Sequence, residues 1–218
     1  MKPLAVLLQL SDSALPTGGF SHSFGFEQYL SRGEITDAAT FAEWLEMFIA
    51  NQLTYTDALL MRMLYDGVDE AELADRALAC TVPAQVRAAD VAMAKRIRAI
   101  GSDALGVPEP VDTAGHSVEP AHPALEFARI SRHHGVSCGD AISGHLTATV
   151  NTLTQNAVRG IPIGQTHGQR VVASAHAWVE KSCADVMTLD RDELGMVAPG
   201  LEIAQMQHEQ LRARMFMS

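Results

Sequence analysis

The sequence lacks paired cysteines, a phosphate-cradling loop, long apolar runs and an excess of positive charge. Each absence removes a class of function. Its three cysteines, Cys80, Cys138 and Cys183, stand apart with no CxxC pair. Neither a zinc ribbon nor a disulfide framework is indicated, and an odd, unpatterned set suits a reducing cytoplasm. Lys and Arg number 16 against 26 Asp and Glu, for a net charge of −10. A nucleic-acid binder needs a basic face, so that class is disfavoured. No apolar stretch is long enough to cross a bilayer. The opening "MKPLAVLLQLSDSA" resembles a weak signal peptide, but Gln9 interrupts its apolar run and no small-x-small cleavage site follows. It reads as a first amphipathic helix.

Catalytic motifs are missing as well. There is no GxxxxGK[ST], since Phe20 follows the Gly18-Gly19 pair and the Gly164–Gly168 stretch lacks the Lys. The chain is therefore not expected to hydrolyse nucleotide by itself. GxGxxG and Gly-x-Ser-x-Gly are absent, and no carboxylate pair stands out as an acid/base dyad. His208-Glu209 opens "HEQLR", which lacks the second His of HExxH. No His, Cys or carboxylate set has metal-ligand spacing, so neither metal nor cofactor is expected. By elimination the chain points to a binding or assembly protein.

What the sequence does contain is helical periodicity. In "TFAEWLEMFIANQL", Phe41, Trp44, Leu45, Phe48, Ile49 and Gln52 form one stripe. Thr40 and Glu43 offer a capping box, with Thr36 an alternative start, and Gly67 is the expected stop. Further helices are expected over "DEAELADRALAC", over "AQVRAADVAMAKRIRAI" ending near Gly101, over "ALEFARISRHHG" and over "GDAISGHLTATVNTLTQNAV". Thr166 and Gln169 suggest a cap for a helix beginning at His167, with Arg170 in its first turn. Pro199 precedes a final amphipathic helix running to the end. Residues 101–123 carry four prolines and three glycines and read as loop or disorder. The expectation is an all-α, single-domain helical bundle over residues 1–218 with that irregular internal segment.

One short stretch concentrates the aromatics. Of seven Phe, three (Phe20, Phe24 and Phe26) lie in "ALPTGGFSHSFGFEQYL". Phe20 and Phe24 would stand one turn apart on a helix capped by Ser21. Core packing and partner recognition both fit this pattern.

"LLQLSDSALPTGGFSHSFGFEQYLSRG" resembles the amino-terminal signature of the urease accessory protein UreF family. Leu7, Leu8, Leu10, Pro16, Gly18, Phe20, Ser23, Gly25 and Glu27 are in step, and Phe26 replaces the usual Leu. "PIGQTHGQR" and "HEQLRARMFMS" are similar to two further family motifs, in the right order. Met217 and Arg212 depart from the basic residue and the Tyr that many relatives carry. The resemblance implies a non-enzymatic, homodimeric helical protein that binds a UreD/UreH-type accessory protein. The pair recruits the GTPase UreG and directs nickel into apo-urease. It also implies that partner contacts concentrate at Phe20, His22, Phe24, Glu27, Gln165, Arg170, His208, Glu209, Arg214 and Phe216. Arg214 is expected to order its terminus when the partner binds. A nickel-binding metallochaperone is the alternative, and a small helical hydrolase a further rival.

Overall fold

A computed structural model describes residues 1–195 and 198–218. The chain is all-α, and among the described residues the β geometry is confined to one isolated bridge, Val111 to Ser117. Helix α1, Pro3–Leu10, starts on a proline and buries Val6 and Leu10. After α2, Phe26–Ser31, comes a long rod. It consists of α3, Ala38–Met47, a π-helical stretch, Phe48–Ala58, and α4, Leu59–Tyr65. Its joints stay right-handed, and it stops at Gly67, where φ is +85°. The expected stop is therefore found. The expected cap is not: Asp37 accepts from Ala39 N and Thr40 N, and Thr40 Oγ1 returns a bond to Asp37 N. A carboxylate one residue after Thr36 closes the box with Thr40, so Glu43 is not needed.

The widened middle of the rod is not legible from periodicity. Side-chain donors compete for its carbonyls: Asn51 bonds Met47 O, Thr54 bonds Ile49 O, and Thr56 bonds Gln52 O. Such back-bonding suits i→i+5 turns. It turns Phe48, Ile49, Leu53, Thr54 and Asp57 all inward.

Helices α5, Glu70–Cys80, and α6, Ala84–Leu105, follow. The expected end at Gly101 is corrected to Gly106, which takes φ +66°. Gly101 is instead a contact point, since a Cβ there would lie 2.8 Å from Ile130 Cδ1. Helix α7, Pro123–His133, packs against α6 through that gap. Helices α8, Cys138–Gly160, and α9, Gln165–Val186, form an antiparallel pair around a four-residue connection. Gly164 caps α9 without a side-chain bond, so the Thr166–Gln169 box is absent and Arg170 lies in the second turn. The closing α10, Pro199–Gln207, rests on α2 and α6.

Several of the few aromatics form a core cluster around Phe26 and Trp44. Phe26 meets Phe41 and Trp44 at 5.7 Å each and Phe216 at 5.2 Å, and Trp44 stacks on Phe48 at 5.0 Å. Edge-to-face and stacked pairs each add about 0.5 to 1.5 kcal/mol beyond area burial.

The Pro/Gly-rich segment is irregular from residue 106 to 122 but is anchored. Val107, Val118, Ala121 and His122 are buried. Arg98 donates to Val118 O and Arg129 to Pro108 O. Both guanidinium groups converge on buried Glu126, at 2.5 Å from Arg98 and 3.0 Å from Arg129. Glu126→Ala leaves two buried cations without their shared anion, which commonly costs about 3 to 5 kcal/mol. At roughly 2 to 4 °C per kcal/mol for a chain of this size, melting should fall by about 6 to 20 °C. Proteolysis between residues 108 and 118 should accelerate, and an unchanged melting temperature and digest would contradict the anchoring role.

Candidate functional site

The segment between α1 and α2 is shaped by backbone freedom. Gly18 takes φ +87°, and Arg96 donates to Thr17 O at 2.9 Å beside it. A short 3-10 turn covers Gly19–Ser21. Phe24 follows at φ +50°, the sole positive-φ residue other than glycine among those described. Gly25, at φ +102°, then caps α2, and a Cβ on it would lie 3.0 Å from Gln205 Cγ of α10. Ser21 therefore caps no helix, and Phe20 and Phe24 do not share one. Phe20 is 64% exposed, whereas Phe24 is half-buried against Phe48. Asn156 holds the segment from below through Gly19 O and His22 O, and Arg159 bonds Phe20 O.

Glu27, on the first turn of α2, is buried and draws the far end of the chain onto this segment. Its Oε2 accepts from His208 Nε2 at 2.8 Å and from Phe216 N at 3.2 Å, and its Oε1 accepts from Met215 N at 2.6 Å. His208 is fully buried and its Nδ1 meets Gln85 at 3.0 Å. The expected final helix is thus corrected. Helix α10 stops at Gln207, a 3-10 turn covers His208–Gln210, and residues 211–218 form an irregular strap. A continued helix would bond its own amides, leaving none at 215 and 216 for the carboxylate. The strap ends beside the amino-terminal segment: Met217 N donates to Ser21 O, and Ser23 N to Ser218 O. His22 Nδ1 lies 2.8 Å from Ser218 Oγ. Burial, then the charges of Arg96 and His208, holds His22 below its ordinary pKa, so the imidazole stays neutral here.

The ten sequence-derived residues therefore divide. His22, Glu27, His208 and Phe216 are internal and build the scaffold. Phe20, Gln165, Arg170, Glu209 and Arg214 are exposed, and Phe24 is half-buried. Phe20 shares its surface with Met217, 67% exposed, because Ser21 pairs with Met217. Met215 is 55% exposed, and its tip packs over Gly160 at the entry to the α8–α9 connection. Among the described residues neither the Arg170 nor the Arg214 guanidinium has a hydrogen-bond partner.

A second polar centre went unnoticed in the sequence. A cavity of about 180 Å³ lies between the 10–24 segment and helices α6 and α8, with Asp57, Asp90, His122 and His145 in its wall. His145 Nε2 donates to Asp57 Oδ1 at 2.9 Å. His122 Nδ1 accepts from Ala124 N, which leaves the proton on Nε2, 3.6 Å from Asp57 and 3.7 Å from Asp90. Burial pushes Asp57 up, but the neighbouring imidazoles and the Thr56 hydroxyl outweigh it and hold the carboxyl low. Burial pushes His122 down, so it stays neutral. Burial, with Asp57 nearby, pushes Asp90 well above the carboxylate range. A carboxylate pair thus exists where none stood out in the sequence. The signal was available, since Asp90 falls on the Val86, Met93, Ile97 stripe and His145 on the Ile142, Leu146 stripe. A titratable residue on an apolar face is the mark of such a centre.

Known proteins resemble this chain over nearly its whole length. The UreF family model matches residues 35–176. The chain is 45% identical over 215 residues to the "Urease accessory protein UreF" of Arthrobacter sp. (strain FB24), covering 97% of this chain and 96% of that one. It is 46% identical, at the same coverage, to the protein of that name from Paenarthrobacter aurescens (strain TC1), and 42% identical to that of Geobacillus kaustophilus (strain HTA426). The near-complete coverage includes the Glu27 and His208 regions, which lie outside the span of the family match.

Asp90 gives a signed pH dependence. Its raised pKa means the folded chain keeps a proton that the unfolded chain releases above the ordinary carboxylate range. Stability from this group is present below that range and is lost as pH rises toward the folded pKa. Asp90→Asn removes the loss. The variant's advantage over the unmodified chain should grow steadily as pH rises above the ordinary carboxylate range. Thermal melts that show no such divergence would contradict a buried, protonated Asp90.

Proposed function

The chain belongs to the UreF family of urease accessory proteins, and from that premise we propose that it acts as a non-enzymatic urease maturation factor. In this reading a homodimer in the cytoplasm binds a UreD/UreH-type accessory protein. The pair recruits a UreG-type GTPase, through which nickel reaches apo-urease. The observation that carries the reading is the composite surface made by the two ends of the chain. Glu27 folds the strap back so that Phe20 and Met217 stand exposed on neighbouring segments, with Arg214 and Met215 exposed on the same strap. Exposed aromatic and Met side chains with a neighbouring Arg have the chemistry of a partner contact. A guanidinium without an internal partner is free to pair with a carboxylate or carbonyls of another chain. Among the described residues no helix is long and apolar enough to cross a membrane.

Arg214 tests this reading because, among the described residues, its guanidinium has no partner inside the chain. Arg214→Ala should keep the melting temperature and the dimer. It should weaken recruitment of the GTPase by about 10- to 100-fold, the scale of one lost charged contact, and lower nickel-dependent urease activation. Glu27→Gln should weaken recruitment and also lower the melting temperature, since it removes the charged acceptor inside the fold. A pull-down in which the Arg214→Ala chain retains the GTPase as well as the unmodified chain does would overturn the assignment of this surface.

A further inference from the structure

The cavity beside Asp90 is not absorbed by the assembly role. We propose that it binds an alkylammonium group, with the cationic head on Asp57 and Asp90 and the aliphatic stem along the apolar wall. Four observations exclude the other ligand classes. No Lys or Arg lines the cavity, so no fixed cation there offsets an anion, while its carboxyls oppose one. Asp90 is 5% exposed and, among the described residues, accepts no hydrogen bond, so a purely apolar ligand would leave a buried carboxyl unanswered. His122 presents a hydrogen, not a lone pair, to the two carboxyls, because its Nδ1 is occupied by the Ala124 amide. It therefore donates toward the same centre and is not set as a metal ligand. Finally, Leu15, Phe24, Met93, Ile97, Phe127 and Leu153 supply an apolar wall that a bare inorganic ion would not use.

Size agrees with an organic head and short stem. A cavity of about 180 Å³ is close to the roughly 150 Å³ engineered site that takes up benzene, a six-carbon ring. n-Butylammonium, with five heavy atoms, is of that order, and it is also the side chain of lysine beyond Cα. The mouth is formed by exposed Asp12, Ser13 and Phe20, so entry is from the surface and past a further carboxylate. The titratable groups facing the head are Asp57 from the π-helical stretch, Asp90 from α6, His122 before α7, His145 from α8 and Asp12 at the rim. Asp57 is held ionised and His122 neutral. An arriving ammonium favours ionisation of Asp90 as well, so its proton leaves to solvent as the cation enters and the head then faces two carboxylates.

The test uses the full chain, with n-butylammonium as probe and n-butanol as its neutral counterpart, followed by calorimetry and by the carboxyl carbon resonance of Asp90. The amine should bind at least about tenfold more tightly than the alcohol. It should shift the Asp90 titration to lower pH and release a proton, seen as a buffer-dependent heat. Asp90→Asn should cut amine affinity by about tenfold or more and leave the alcohol unaffected. A backbone-blocked lysine separates the two sources of the head. Binding equal to the free amine marks a partner's lysine side chain as the ligand, and binding of the free amine alone marks a small molecule. Equal uptake of amine and alcohol, or an Asp90→Asn chain that binds the amine undiminished, would overturn the proposal. The Asp90 resonance needs no variant, and a titration unmoved by saturating amine would overturn it equally. The result bears on this cavity alone, independent of GTPase recruitment.

Discussion

The carboxylate of Glu27 is the contact on which the arrangement of both chain ends depends. It is buried, and it accepts from one imidazole and two backbone amides. A carboxylate placed out of water is costly unless its lone pairs are met. Here the donors come from residues 181 to 189 positions away. The interaction thus satisfies the charge and closes the chain in one step. Phe216 enters the aromatic cluster next to Phe26 because its own amide is tied to Glu27. The strap then has no freedom to continue the helix, and Met215 and Met217 are left pointing outward.

Two polar centres lie on the aromatic and aliphatic core, and they differ in how fully they are satisfied. Around Glu27 each carboxylate oxygen has a donor within hydrogen-bond distance. Around Asp57 the carboxyl is met by His145 and Thr56, while among the described residues Asp90 has only the His122 ring at 3.7 Å. A satisfied centre rigidifies, and one left short of partners stores a cost that a ligand can relieve. The π-helical stretch is what allows the second centre. Its extra residue per turn brings Asp57 inward together with Phe48 and Leu53, which regular 3.6-residue spacing would not.

Local signals made most helices legible. Periodicity marks α5 to α8, and Gly67 with φ +85° and Pro123 at a first turn are readable punctuation. The cap misreadings at Thr40 and Thr166 are local, but three others share a cause, which is dependence on distant residues. Gly101 reads as a stop until Ile130 of α7 is seen against it. Residues 211–218 read as helix until Glu27 claims their amides. Segment 106–122 reads as loose until Arg98 and Arg129 reach its carbonyls. In the site, family motifs drew attention to Glu27 and His208 without disclosing that they face each other. Asn156, Gln85 and Arg159 carry no motif at all, though they hold His22, His208 and Phe20 in place.

Amide hydrogen exchange in the isolated chain tests the central claim most directly. With Glu27 holding the strap, the amides of Met215, Phe216 and Met217 should be protected in the absence of any partner, on the timescale of the α8 core. Exchange of those three amides at the rate of an unstructured peptide, with α8 still protected, would show that the strap is not pinned from within and would contradict the account.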